Sequence, residues 1–261
     1  MAVMLCTWRL PLIIAAAIVL MAGNARAVVL DWSNVTWTPG SLSNSYDIDG
    51  YTSNGNDITV SISGNTNKLT VDPVTGLAAP SISNSLQGGY GGDHSLFLGG
   101  DLSTQTNFTV TVLFTGRYNA ATDVSFSLFD VDMGADHEKI LNIYALLSDG
   151  SKVAATISGV GSAVTLSGLG LAQLLTGNAA AADTGAGSGN GNATIGFGSL
   201  AITGFSFDFK NDGGPPRFQS IGLFDINFTP VPEINPAWIG GAICVIGAFA
   251  AIRLRRRSSP A

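Results

Sequence analysis

Short runs in which apolar and polar residues alternate recur through the middle of this chain, separated by clusters of Gly, Asn, Asp and Ser. The pattern is clearest in Asp57–Ser63, Leu200–Lys210 and Ser220–Thr229, where apolar residues occupy every second position. A period of two places successive side chains on opposite faces of a strand. Strong helix formers are scarce outside the two ends, so the middle is predicted to be all-β.

The densest strand pattern predicts four consecutive strands, at Phe108–Phe114, Val124–Val131, Ile140–Leu147 and Lys152–Ser158. The connections between them are short, which favours antiparallel neighbours. Many short strands with turn residues between them are typical of a sandwich or jelly roll. We therefore predict an antiparallel β-sandwich, jelly-roll-like in its strand pattern.

Other stretches interrupt the strand pattern. Gly40–Gly55 is predicted to be a polar loop, and Asp72–Gln87 is irregular. Leu166–Leu175 is compatible with one or two helical turns, and the Ala/Gly-rich stretch 179–192 is predicted to be a mobile loop.

The N-terminal residues Met1–Ala27 have the three parts of a secretory signal peptide. Arg9 supplies the positive charge, Leu10–Ala22 is the apolar run, and Ala25 and Ala27 form an A-x-A cleavage site. The prediction is export through the secretion translocon, cleavage by signal peptidase and a mature chain beginning at Val28.

The C-terminus has an uncharged apolar run, Ala237–Ile252, followed by an arginine cluster. As a helix the run is roughly 24 Å long, slightly shorter than the ~30 Å hydrocarbon core of a membrane. Positive charge is retained in the cytoplasm, so the body is predicted to lie outside the inner membrane. The stop-transfer arginines are Arg253, Arg255, Arg256 and Arg257.

A short motif, Val231-Pro232-Glu233, precedes this apolar run. Motif, helix and arginine cluster together resemble the PEP-CTERM sorting signal of Gram-negative bacteria. The usual motif is Pro-Glu-Pro, whereas Ile234 stands at the third position here. The resemblance implies processing by an exosortase, a membrane-embedded cysteine protease, and sorting to the cell surface or extracellular matrix. The predicted organisation is a signal peptide (1–27), a β domain (28–230) and a sorting tail (231–261).

Cysteine positions and charge limit the chemistry of the body. Cys6 and Cys244 both lie in the predicted targeting ends, which leaves the mature body without a disulfide or a thiolate site. The chain has 12 basic and 18 acidic residues, and half of the basic ones lie in the two ends. The acidic body disfavours nucleic acid and is able to attract divalent cations.

Four acids lie close together after the second of the four dense strands: Asp130, Asp132, Asp136 and Glu138. Asp130 and Asp132 are two residues apart on a strand, so their side chains point to the same side. Carboxylate oxygens are ligands that calcium prefers, and the spacing predicts a calcium site. The alternative is an ordinary solvated turn at a strand end, a position that aspartate favours.

Residue types give little support for catalysis. The body contains two histidines, one glutamate before the tail and no G-x-S-x-G motif. Phe126–Asp132 and Ile221–Ile226 look like strands of jelly-roll domains in exported bacterial proteins, and such domains often bind carbohydrate or mediate adhesion. The prediction is a non-catalytic exported envelope or matrix protein. The alternatives are a calcium-dependent module for polysaccharide or adhesion, and a polysaccharide hydrolase.

Overall fold

A computed structural model describes residues 26–48, 55–134, 136–179 and 187–231. The predicted signal peptide up to Ala25 and the predicted tail from Pro232 onward lie outside these ranges and stay predictions. None of the helical turns within the described ranges has the length and hydropathy needed to span a bilayer.

The described ranges contain sixteen strands and three short 3₁₀ turns, the latter at Thr66–Lys68, Gly116–Tyr118 and Gly170–Ala172. The first eight strands are β1 (Val28–Leu30), β2 (Ser43–Tyr46), β3 (Ile58–Gly64), β4 (Ser81–Ser83), β5 (Ser95–Leu102), β6 (Asn107–Phe114), β7 (Ala121–Phe129) and β8 (Glu138–Leu146). The second eight are β9 (Lys152–Ala154), β10 (Thr156–Ser158), β11 (Val164–Ser167), β12 (Leu174–Gly177), β13 (Ala193–Gly196), β14 (Gly204–Asn211), β15 (Arg217–Leu223) and β16 (Ile226–Pro230).

The strands form two antiparallel sheets, which confirms the predicted all-β sandwich. Sheet A has the order β1-β16-β7-β15-β5-β4, with β13 pairing β7 and β10 pairing β13. Sheet B has the order β11-β12-β8-β14-β6-β3-β2, with β9 added to β8. Neighbours in a sheet are mostly distant in sequence, so the sandwich is closed by long-range pairing.

Aromatic side chains from both sheets fill the core. Phe126 of sheet A stacks on Phe205 of sheet B with ring centroids 4.5 Å apart and an interplanar angle of 13°. Phe228 and Phe114 also meet across the sandwich, with centroids 5.0 Å apart and ring planes tilted by 48°. Aromatic pairs of this kind add about 0.5–1.5 kcal/mol each beyond the area they bury.

Of the one or two helical turns predicted in Leu166–Leu175, the structure has one, a 3₁₀ turn at Gly170–Ala172 in the β11–β12 hairpin, where Gly168 and Gly170 adopt φ values of +73° and +58°. Two other local predictions were wrong. The predicted Gly40–Gly55 loop contains β2, and the irregular stretch Asp72–Gln87 contains β4.

Candidate binding surface on sheet A

The outer face of sheet A is identified by the alternation along β7. Val124, Phe126 and Leu128 are buried in the core between the sheets. Ser125, Ser127 and Phe129 therefore point outward.

An aromatic platform of Tyr90, Phe129 and Phe224 lies on this outer face. The Tyr90 ring is nearly parallel to that of Phe224, at 5.3 Å and 12°, and also stacks on Phe129 at 5.8 Å. Phe129 and Phe224 contact each other at 4.7 Å. Tyr90 nevertheless remains 56% exposed, so much of an aromatic ring is presented to solvent on a packed support.

Gly88 allows the loop that carries Tyr90 to approach the sheet. Its φ is +54°, and a Cβ at this position would overlap the ring of Phe129. The Gly88 carbonyl accepts a hydrogen bond from Asn192 Nδ2 at 2.8 Å. These contacts hold the glycine-rich segment over the sheet.

A shallow pocket of about 200 Å³ borders the platform. Neutral polar side chains from three strands line it, with Ser127 and Thr194 side by side at 3.0 Å between their hydroxyl oxygens. The remaining lining groups are Tyr90, Ser125, Phe126, Phe224, Asp225 and Asn227. The pocket therefore combines an exposed ring with hydroxyl and amide groups that donate and accept hydrogen bonds.

Asp225 connects this pocket to a cluster of three aspartates. Carboxylate oxygens of Asp31, Asp93 and Asp225 all lie within 4.8 Å of one another. Burial raises the pKa of Asp225 to about 6, opposed by the hydrogen bond from the Trp32 N–H and assisted by the charges of Asp31 and Asp93. The three residues are far apart in sequence, and spacing gave no signal for their meeting.

A second opening, the acidic cleft, lies where β7 leaves sheet A. Asp130 has φ +62° and turns the chain away from the sheet, so that β7 pairs with β15 only at Gly222 and Leu223. The resulting cleft has a volume of about 470 Å³. Its lining consists of Asp130, Asp132, Gly134, Glu138, Arg217, Phe218, Gln219 and Ser220.

Glu138 is a buried carboxylate in this cleft, only 2% exposed. Its Oε2 accepts a hydrogen bond from the Asp132 N–H, and its Oε1 accepts one from the Ser220 N–H, both at 3.0 Å. Burial raises the pKa of Glu138 well above its usual range, and the charges of Asp130 and Asp132 raise it further. The two backbone hydrogen bonds oppose this shift.

Three of the four acids predicted to bind calcium, Asp130, Asp132 and Glu138, therefore line one cleft. Asp136 is not among the lining residues, and its Oδ2 is 3.2 Å from Arg217 Nε in an ion pair. All four acids lie in the described ranges, where no three of them have carboxylate oxygens mutually within 4.8 Å. The calcium site remains a prediction.

Both histidines of the body are engaged in local contacts. The Nδ1 of His94 lies 3.2 Å from the Ser33 hydroxyl, next to the aspartate cluster. The Nδ1 of His137 contacts the Gly177 carbonyl. The Ser33 hydroxyl donates its hydrogen bond to Asp93 Oδ1, at 2.8 Å.

No family model matches the chain, and no curated protein matches it. Among solved structures, the chain is similar to the mannan-recognising carbohydrate-binding module TmCBM27, at 11% identity and TM-score 0.34, over 79% of this chain and 99% of that one. It is also similar to a family 11 carbohydrate-binding module from Clostridium thermocellum, at 11% identity and TM-score 0.31, over 79% and 97%. A third similarity is to CBM32-3 of a family 31 glycoside hydrolase from Clostridium perfringens, at 13% and 0.27, over 52% and 76%. These TM-scores are too low to carry an argument about function, which rests on the site itself.

Proposed function

We propose that this chain is an exported, non-catalytic carbohydrate-binding module with a jelly-roll-like body, which binds a neutral sugar on the outer face of sheet A. The observation that carries the proposal is Tyr90, whose ring is supported by Phe224 and Phe129 and yet 56% exposed beside a hydroxyl-lined pocket.

The chemistry of this surface suits a sugar ring. A sugar has apolar C–H faces, which pack on an aromatic ring, and equatorial hydroxyls, which need donors and acceptors around them. Ser125, Ser127, Thr194 and Asn227 supply such groups in one pocket beside Tyr90. The rings beneath Tyr90 restrict its movement, which lowers the entropy lost on binding.

The absence of a catalytic role is part of the proposal. Glu138 has both oxygens engaged by backbone N–H groups, and the two histidines make local contacts. Glycoside hydrolysis needs one carboxylic acid and one carboxylate placed across a bound sugar. The Tyr90 pocket contains a single carboxyl group, that of Asp225.

Affinity electrophoresis against neutral polysaccharides tests the binding activity. A suitable panel contains mannan, mixed-linked β-glucan and xylan, with bovine serum albumin as the non-binding reference. We expect at least one polysaccharide to retard the protein, and to retard a Tyr90→Ala variant less. Equal mobility of both proteins in every gel would reject the proposal.

Export and sorting are proposed from the two ends of the sequence. The signal peptide would be removed after Ala27, and the PEP-CTERM-like tail would hold the body at the inner membrane before an exosortase-like enzyme processes it. Intact-mass measurement of the native protein from each cell fraction tests both cleavages. A retained Met1 on envelope material would contradict export by this route.

A further inference from the structure

We propose that the β11–β12 hairpin docks on the surface of a lipid bilayer, and that three exposed leucines at and beside its turn enter the bilayer surface. These residues, Leu166, Leu169 and Leu171, are called the leucine tip. None of them lines the Tyr90 pocket. The choice of a bilayer as the partner rests on the proposed anchoring of the body by its C-terminal tail.

The leucine tip presents apolar side chains to solvent. Leu169 is 88% exposed, Leu171 is 49% exposed and Leu166 is 37% exposed. Single exposed leucines are common on protein surfaces and need no explanation. Three of them on one hairpin are different, because exposed apolar groups gathered in one place mark a contact surface.

A closed turn holds these leucines in place. Gly168 has a φ of +73°, and a Cβ at this position would overlap the Ala172 carbonyl. The Ala172 N–H donates a hydrogen bond to the Leu169 carbonyl at 3.1 Å, which closes the turn. Because the backbone is already ordered, the leucines lose little conformational freedom when they enter a bilayer.

The hairpin and its flanks carry no charge. No Asp, Glu, Lys or Arg occurs from Val153 to Ala179, in a chain with 18 acidic residues. Charged side chains oppose entry into a bilayer, so their absence removes this cost. The acidic cleft lies at the opposite end of β8, which begins at Glu138. Docking is therefore driven by apolar contact and needs no anionic lipid.

The leucine tip lies in the same half of the sandwich as Val231, the last described residue. The Val231 N–H donates a hydrogen bond to the Ala120 carbonyl, just before β7. The loop before β14 pairs with the start of β7, and its Thr203 N–H donates to the Leu146 carbonyl at the end of β8. The 3₁₀ turn of the hairpin lies against β8 and β9, and β9 pairs with the last three residues of β8.

The chain between Val231 and the predicted membrane span is short. Only residues 232–236 separate Val231 from the apolar run Ala237–Ile252. Fully extended, this connection reaches at most about 20 Å. With the apolar run in a membrane, Val231 would lie within that distance of the membrane surface, and the half of the body that carries the leucine tip would face the bilayer.

Docking in this way directs the carbohydrate surface away from the membrane. β7 begins at Ala121, next to the contact of Val231, and ends at Phe129, whose ring supports Tyr90. The rise along β7 between these two ends is about 26 Å. The Tyr90 platform would thus stay accessible to a polysaccharide while the leucine tip is in contact with lipid.

Fluorescence quenching of the full chain in neutral phosphatidylcholine vesicles tests the inference. A nitrobenzoxadiazole label is attached at Leu169→Cys in a background of Cys6→Ser and Cys244→Ser, and doxyl groups on the lipid chains quench only a label in the bilayer. The control is a label at Val74→Cys, an apolar position that is 74% exposed in the loop before β4 of sheet A. A label at the native Cys244, in a Cys6→Ser chain, reports on the tail.

We expect doxyl lipids to quench the label at residue 169 at least about twofold, and the label at residue 74 by less than about a tenth. Leu171→Ser should lower the quenching at residue 169, because it removes a neighbouring apolar contact, whereas Val74→Ser should leave it unchanged. Equal quenching at residues 169 and 74, or quenching at residue 169 that Leu171→Ser does not lower, would overturn the inference. A brighter label at residue 169 that doxyl lipids do not quench would indicate a protein partner or a second copy, and would overturn it as well.

The label at Cys244 separates this inference from the proposed anchoring. Quenching at Cys244 without quenching at residue 169 would refute only the leucine tip. Quenching at residue 169 without quenching at Cys244 would refute only the anchoring by the tail. Neither outcome bears on polysaccharide binding, which is measured without lipid.

Discussion

Removing the Tyr90 ring should weaken carbohydrate binding by about ten- to a hundredfold. An aromatic side chain buries about 150–250 Å² when it is fully covered. Tyr90 is 56% exposed, so about 110 Å² remains for a ligand to cover. At about 25 cal/mol per Å², complete coverage would contribute about 2.8 kcal/mol, and coverage of one ring face about half of that. These values correspond to about a hundredfold and a tenfold change in Kd.

The fold should survive this substitution. Tyr90 loses its contacts with Phe224 and Phe129, which are worth about 0.5–1.5 kcal/mol per ring pair. For a body of this size the melting temperature should fall by only a few degrees, about 2–4 °C per kcal/mol. A melting curve of Tyr90→Ala therefore distinguishes a lost binding surface from a lost fold.

Isothermal titration of Tyr90→Ala and Tyr90→Phe with the tightest-binding polysaccharide provides the assay. Tyr90→Phe keeps the ring and should bind within about threefold of wild type. The matched control is Tyr144→Ala on the outer face of sheet B, where Lys152 Nζ lies 3.8 Å from the ring centroid. A Tyr90→Ala variant that is folded and binds within twofold of wild type would refute the platform.

The remaining predictions concern stability. Asp72→Ala should lower the free energy of unfolding, measured by chemical denaturation, by about 2–4 kcal/mol. The reason is that the fully buried Asp72 carboxylate accepts hydrogen bonds from the hydroxyls of Thr75 and Ser83. A loss below about 1 kcal/mol would contradict this. Because the pKa of Asp225 is raised to about 6, its contribution to the free energy of unfolding is fully present below about pH 4 and is lost as the pH rises through 6. Between pH 4 and 6.5, the free energy of unfolding of the Asp225→Asn variant should therefore fall by about 1 kcal/mol less than that of the wild type, a value already discounted for the partial exposure of Asp225. An unchanged pH profile would contradict this prediction. The predicted calcium site should raise the melting temperature of the wild type by about 5–10 °C in calcium relative to chelator, and the double variant Asp130→Asn with Asp132→Asn should lose this shift. An identical wild-type melting temperature in calcium and in chelator would reject the site.

The sequence predicted the fold class because alternation along a strand is a local property. Ile58, Val60 and Ile62 are buried in β3 as their period of two requires. β2, which reads Ser-Asn-Ser-Tyr, carries no such alternation and is a strand because it pairs with β3. Tertiary pairing decides the state of such short polar segments.

The site was only partly visible in the sequence, for a similar reason. Asp130, Asp132 and Glu138 are close in the chain, and they do line one cleft. Gln219 and Phe218 join them from β15, and no local pattern indicates that pairing. Tyr90 lies among glycines, with no strand pattern around it, and its supporting rings come from two other segments.

Chemical-shift mapping of the isotope-labelled body with a neutral oligosaccharide reports directly where the sugar binds. We expect the largest amide shifts at Gly88–Tyr90, Ser125–Ser127 and Thr194, on the outer face of sheet A. Shifts concentrated at Thr109–Leu113 on sheet B, or the absence of shifts at saturating ligand, would contradict it.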